Sequence, residues 1–250
     1  MNKFESMLEA NRITHVALEK CKETILARET ITKVEVETLV KFVMTTNNVV
    51  SSFKDVYDYP YNMCVSVNDE VIHGVPKEDA KIVKGDLVSL DFGVIYNGYC
   101  ADAAISFINN TVELNPISKK RKLVRKTKKA LDESVRALQD SFPNCKISDI
   151  IKAIQTCGEG YGIIDSYGGH GIGENLHDKG LFIPNSFKGF TEDKELQVGD
   201  YFTIEPMFTL GSTKTITDKD GYTIKTEDGS LAAHFEYSIA ITKDGVIVLK

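Results

Sequence analysis

Apolar residues recur at helical intervals early in the chain. Leu8, Val16 and Ile25 predict a helix over residues 5–28, and Val36, Leu39, Val40 and Val43 predict another over about 34–46. The period then shortens to two. From about 63 to 107 the pattern predicts strands, with Met63, Val65 and Val67 alternating with Cys64 and Ser66. Pro116 opens a predicted long helix carrying Leu123, Ala130, Leu131, Val135 and Leu138 on one side, and Ser148 caps another that runs through Gln155 and stops near Gly158. A second strand-rich region over about 201–250 has turns at Asp228-Gly229 and Asp244-Gly245. Helices, strands, helices, strands in that order predict an α+β fold, an antiparallel-rich sheet covered by helices.

The order conceals a repeat. GDLVSLD at 85–91 and GDYFTIE at 199–205 share Gly-Asp, an apolar strand and an acid six residues after the glycine, so Asp91 and Glu205 hold equivalent places. With no low-complexity linker between them, the repeats predict one domain of two pseudosymmetric halves, about 1–110 and 111–250, whose acids meet in a central cleft.

Asp91 and Asp102 bracket FGVIYNGYCA, and Asn97-Gly98 at its centre is a strong two-residue hairpin signal. With the turn there, Tyr96 faces Tyr99, Gly93 faces Asp102, and Asp91 becomes the diagonal neighbour of Asp102 on one sheet face, with Cβ atoms roughly 7 Å apart or slightly less. Leu87, Val88, Leu90, Phe92, Val94 and Ile95 make this strand apolar on both faces, which buries Asp91. A buried carboxylate needs a cation or a proton.

Composition narrows the classes. The chain has 250 residues, 42% of them hydrophobic, enough for a substantial core, and its net charge of −6 offers no global attraction for nucleic acid. No specific DNA binding is therefore expected, and no apolar run reaches membrane-spanning length. MNKFESMLEANRITHVALEK is a charged amphipathic segment without the apolar centre of a signal peptide, so a cytoplasmic protein is expected. Five cysteines without CxxC spacing read as free thiols rather than a disulfide framework or a thiolate zinc site.

Three further segments carry chemistry. In GGHGIG, glycines leave the His170 imidazole unobstructed; a phosphate loop is the rival reading, but the segment lacks the clear strand, helix and acid of that fingerprint. In AAHFEYSIAIT, alternation puts His234, Glu236 and Ser238 on one face, and Ala232, Ala233, Ile239 and Ala240 point to burial. The candidate set is Asp91, Asp102, His170, Glu205 and Glu236. Four buried acids require about two divalent cations to approach neutrality, and an oxygen-rich set with one nitrogen suits Mn, Fe, Co or Zn. Such a centre activates water and polarises a carbonyl, so hydrolysis is the expected chemistry.

LDFGVIYNGYCAD, YGGHGIGENLH, TIEPM and AHFEYSIAIT resemble the motifs of type I methionine aminopeptidases, and the resemblance spans essentially the whole chain. It implies a pseudo-two-fold "pita-bread" (creatinase/aminopeptidase) fold and hydrolytic removal of the initiator methionine from peptides and nascent chains, with a small second residue preferred. By the same resemblance Asp102 and Glu236 bridge two metal ions, Asp91 completes one site, and His170 with Glu205 completes the other. Glu205 also serves as proton shuttle, His73 and His177 contact the substrate near the scissile bond, and Tyr59, Cys64, Leu176 and Tyr222 line the methionine pocket. Read without the family, either of those two histidines is an ordinary surface or core residue.

The chain departs from the family in places. Gly93 and Ala103 stand where hydroxyl residues are common beside the metal aspartates, and His234 replaces a usual glutamine beside Glu236. ARETITKVEVE lacks the usual Pro-Gly turn, HDKGLFIP departs from the usual continuation after His177, and residues 53–58 align poorly. Proline-type aminopeptidases and a catalytically weak or inactive binding relative are the alternative readings. The absence of a zinc-finger or long basic leader suggests the short bacterial type, and a monomer is expected. The basic stretch Lys119–Lys129 reads first as the solvated face of an amphipathic helix, with transient contact to ribosomal RNA as the second reading.

Overall fold

The computed structural model describes residues 1–109 and 118–250, so the predicted helix start at Pro116 lies outside the described residues. Helix α1 spans Lys3–Leu26, α2 Lys33–Asn47, α3 Lys119–Ser141 and α4 Ile147–Cys157. The first two open in capping boxes. Asn2 Oδ1 accepts the Glu5 N–H while Glu5 accepts the Asn2 N–H, and Thr32 with Glu35 repeats the exchange. Ser118 Oγ accepts the Arg121 N–H at the start of α3. Helix α4 begins before the predicted cap: Asp149 accepts the Lys146 N–H, and Ser148, already in the first turn, donates through its N–H and Oγ to Asp193.

The buried face of α1 only partly follows the predicted stripe, with Ile25 buried and Leu8 half-buried. Val16 is 51% exposed, whereas Met7, Ala10, Ile13, Thr14, Ala17, Leu18 and Cys21 are buried. Small side chains at three of those positions let the helix lie close against the Val94–Tyr96 and Ala103–Ile108 strands. In α3 the predicted stripe of Leu123, Ala130, Leu131, Val135 and Leu138 does face the core. Among the described residues no helix is long and apolar enough to cross a membrane.

Two antiparallel sheets carry the repeat. Leu87–Phe92 lies between Met63–Val67 and Ala103–Ile108. Tyr201–Ile204 likewise lies between Gly168–Gly171 and Tyr237–Thr242, with Asp178–Pro184 and Gly245–Val248 outside them. Both central strands start from the same turn. Gly85 and Gly199 have φ of +91° and +103°, and the following carboxylates, Asp86 and Asp200, each accept the N–H three residues back at 2.8 Å. Residues of α1 and α2 pack with the first sheet in one hydrophobic core, and residues of α3 and α4 pack with the second in another. An isolated bridge between Ala104 and Glu236 joins the sheets. Ser238 reinforces it, its Oγ accepting the Asp102 N–H at 3.3 Å and donating to the Asp102 carbonyl at 2.8 Å.

Candidate active site

The hairpin has the register that Asn97-Gly98 predicts. Asn97 and Gly98 have φ of 51° and 81°, Tyr96 pairs with Tyr99, and farther out Phe92 faces Ala103 and Asp91 faces Ala104. Asp102 is thereby diagonal to Asp91 across the pair. Glu205 follows the Tyr201–Ile204 strand, and Glu236 sits at the inter-sheet bridge. His170 enters from Gly168–Gly171, where a Cβ on Gly169 would collide with the Thr203 backbone, so only glycine lets that strand lie so close.

These side chains converge. His170 Nε2 stands 3.6 Å from Asp102 Oδ2 and 3.8 Å from Glu205 Oε1, while its Nδ1 is 3.1 Å from the Gly171 carbonyl. That carbonyl holds the Nδ1–H tautomer and leaves Nε2 as an electron-pair donor toward the acids. Donor atoms of Asp102, His170 and Glu236 lie within 4.8 Å of one another, as do those of Glu205, His234 and Glu236. Asp91, Asp102 and Glu236 are each at most 8% exposed, and Asp91 Oδ1, Asp102 Oδ1 and Glu236 Oε1 find no hydrogen-bond partner among the described residues. Buried carboxylate oxygens without donors are costly, and an oxygen-rich set with an imidazole is what a divalent cation accepts. The residues fit such an ion.

Electrostatics agree with the geometry. Burial pushes the Asp102 carboxyl up to about 8, and burial, opposed by the nearby His170, does the same for Glu205. Asp91 and Glu236 rise well above the carboxylate range, first through burial and then through the charge of Asp102. Without a cation this cluster holds protons near neutrality; a cation would displace them. Burial holds the neighbouring imidazoles neutral, with His73 and His177 lowered to about 4 and His234 to about 3.

A cavity of about 260 Å³ opens over the cluster and is lined by all eleven predicted site residues. Tyr59 and Cys64 form part of its wall, with Tyr59 Oη donating to the Met63 carbonyl at 3.0 Å and Tyr222 packing edge-on against the Tyr59 ring at 5.4 Å. Leu176 is buried there as well. His177 packs beside His170, their ring centroids 4.2 Å apart, and His73 holds the left-handed conformation at φ 56°. A non-glycine residue there carries backbone strain, which the surrounding packing must hold in place.

The structure adds residues that the sequence reading missed. Tyr167, Tyr57, Phe53, Val56, Thr217 and Ile224 also line the cavity. Tyr167 precedes the glycine-rich run and could have been suspected from adjacency. Ile224 arrives only because its strand pairs with Glu70–Ile72, and Tyr57 lies in the poorly aligned segment with its ring 5.5 Å from that of His177. The departure at Gly93 has a local explanation. A Cβ there would collide with the Ala101 carbonyl and with Ser52 Oγ, so the Ser52 hydroxyl fills the space beside the hairpin and donates to Ala101.

Residues 5–243 match metallopeptidase family M24. The chain is 44% identical to a methionine aminopeptidase of Aquifex aeolicus over 200 residues, 79% of this chain and 74% of that protein. It is 33% identical to a methionine aminopeptidase of Clostridium perfringens over 99% of its own length and 96% of the relative's. The crystal structure of methionine aminopeptidase from Thermotoga maritima superposes with a TM-score of 0.89 at 35% identity, covering 99% of this chain and 96% of that one. The fold is the pita-bread fold of these enzymes. With a site of buried acids and imidazole at the junction of the two sheets that carry the repeat, the chain belongs to metallopeptidase family M24 and, within it, to the methionine aminopeptidases.

Proposed function

We propose that this protein hydrolyses the bond after an N-terminal methionine in peptides and nascent chains, with a small second residue preferred. The observation that carries this reading is the placement of unpartnered buried carboxylates and His170 beneath an apolar cavity lined by Tyr59, Cys64, Leu176 and Tyr222. Asp91, Asp102, His170, Glu205 and Glu236 are the residues that would hold two divalent ions, from among Co, Mn, Fe and Zn. Bound there, such ions supply Lewis acidity and lower the pKa of water.

The protein's own groups do the rest. The pocket wall offers a soft apolar lining suited to a thioether and anchors the first residue. Burial raises the Glu205 carboxyl to about 8 without a cation, and with a cation bound it stands as a free carboxylate; in that form it takes a proton from the attacking water and passes it to the departing amine. Neutral His73 and His177 act as hydrogen-bond donors to the scissile amide and to the charge that develops on its oxygen. The chain acts as a monomeric cytoplasmic domain of two related halves. The exposed basic face of α3 is available for transient contact with the ribosome, although its charge also serves solvation.

The test is release of free methionine from a Met-Ala-Ser peptide by protein reconstituted separately with Mn, Fe, Co and Zn, with Glu205→Gln as control. Release that the substitution abolishes is the expected result. No release with any metal, despite bound ions, would overturn the reading.

A further inference from the structure

His234 takes no part in the five-ligand set, yet the structure puts it inside the cluster. It ends the Ala232–His234 strand and is 2% exposed. Its backbone is clamped: Ser106 Oγ accepts the His234 N–H at 2.9 Å and donates to the His234 carbonyl at 2.6 Å, while Ser89 lies 2.6 Å from the same Oγ. Neither ring nitrogen has a hydrogen-bond partner among the described residues. Nε2 lies 3.8 Å from Glu205 Oε2 and 3.8 Å from Glu236 Oε2.

Those separations are too long for hydrogen bonds. They do suit two donors on a common ion, since ligand distances of about 2.0–2.2 Å allow donor atoms to stand up to about 4.2 Å apart. A histidine that served only packing would leave two buried polar nitrogens unsatisfied, a role an apolar residue fills without that cost. We propose that His234 is a sixth protein ligand, binding the ion held by Glu205 and Glu236. The inference rests on the metal-centre reading above. It makes that position richer in nitrogen than the Asp91 side, where the donors named are carboxylates, and so favours Co, Zn or Fe over Mn there.

The experiment uses the full chain loaded with Co(II) and labelled with ring-15N histidine. Hyperfine-shifted, exchangeable imidazole N–H signals count the coordinated histidines. Two are expected in the unaltered protein, one vanishing in His170→Gln and the other in His234→Gln. Calorimetry should show His234→Gln weakening one cobalt ion by more than the about 10- to 100-fold that loss of an outer-sphere partner costs, with a smaller change for Mn. A single coordinated imidazole in the unaltered protein would overturn the proposal whether or not the variants fold. So would a His234→Gln protein with unchanged cobalt affinity and spectrum. Failure to bind cobalt at all would sink the metal-centre reading with it, whereas cobalt bound through one imidazole sinks this inference alone.

Discussion

The two Gly-Asp strands use the same turn and then diverge at the acid that ends each motif. Asp91 stays inside its strand, opposite Ala104 and Cys64 and diagonal to Asp102, in a setting of carboxylates and a thiol. Glu205 is one methylene longer, lies past the end of its strand, and has an imidazole on either side: His170 Nε2 at 3.8 Å and His234 Nε2 at 3.8 Å. One strand thus offers a rigid, oxygen-rich corner, and the other a longer acid between nitrogen donors. Repeating a backbone does not repeat its chemistry. The longer side chain also has more freedom to move a proton, in keeping with the shuttle role proposed for Glu205.

That contrast can be broken most sharply at Glu205. Replacing it with glutamine should lower turnover by about 10²- to 10⁴-fold, the span of a lost general acid–base, with at least one ion still bound in calorimetry. Asp91→Asn should act differently, weakening one ion at least about 10-fold more than the other. Equal weakening of both ions would erase the distinction between the two corners.

Removing the metal sharpens the comparison through pH. Asp102 and Glu205 have folded values near 8, raised above an unfolded value of about 4, so their contribution to stability is complete below about pH 4 and is lost as pH rises through 8. His73 and His177, lowered to about 4, contribute stability above about pH 6.5 that is lost as pH falls through 4. The two trends oppose each other between about 4 and 6.5, and above that only the acids act. The metal-free protein should therefore melt at progressively lower temperature from pH 6.5 to 8, while the metal-loaded protein should not. A flat metal-free profile over that interval would contradict the assigned burial of these acids.

Smaller effects test the supports. Gly93→Ser should cost about 1–3 kcal/mol in denaturant unfolding, because the new side chain meets the Ala101 carbonyl and Ser52. Reversing the charges of half-buried Lys126 and exposed Lys129 on α3 should change stability by no more than about 0.5 kcal/mol. Co-sedimentation with ribosomes that stays the same after this reversal would leave that face a solvated surface only.

Some of the site was legible because its geometry is local. The turn chemistry of Asn97-Gly98 and the two-residue strand period are enough to make Asp91 and Asp102 diagonal neighbours, and that register holds over the whole pair. The helix starts were less well placed: the capping boxes at Asn2 and Thr32 went unread, and the predicted cap Ser148 lies inside the first turn of α4. The buried face of α1 was only partly legible: Ile25 is buried as expected, but the rest of the face is made by Met7, Ile13 and Leu18 interleaved with Ala10, Ala17 and Cys21, and Val16 is left exposed.

The chain itself determined the turns, the alternation and the repeated Gly-Asp motif, all matters of a few consecutive dihedral angles and side-chain polarities. Only the tertiary structure decided that His170 and Glu205 meet Asp102 across the sheet junction, that Ser52 fills the space beside Gly93, and that His234 points its unpartnered ring at Glu205 and Glu236. Contacts between residues far apart in sequence depend on how two cores pack against one another, and no local spacing encodes that.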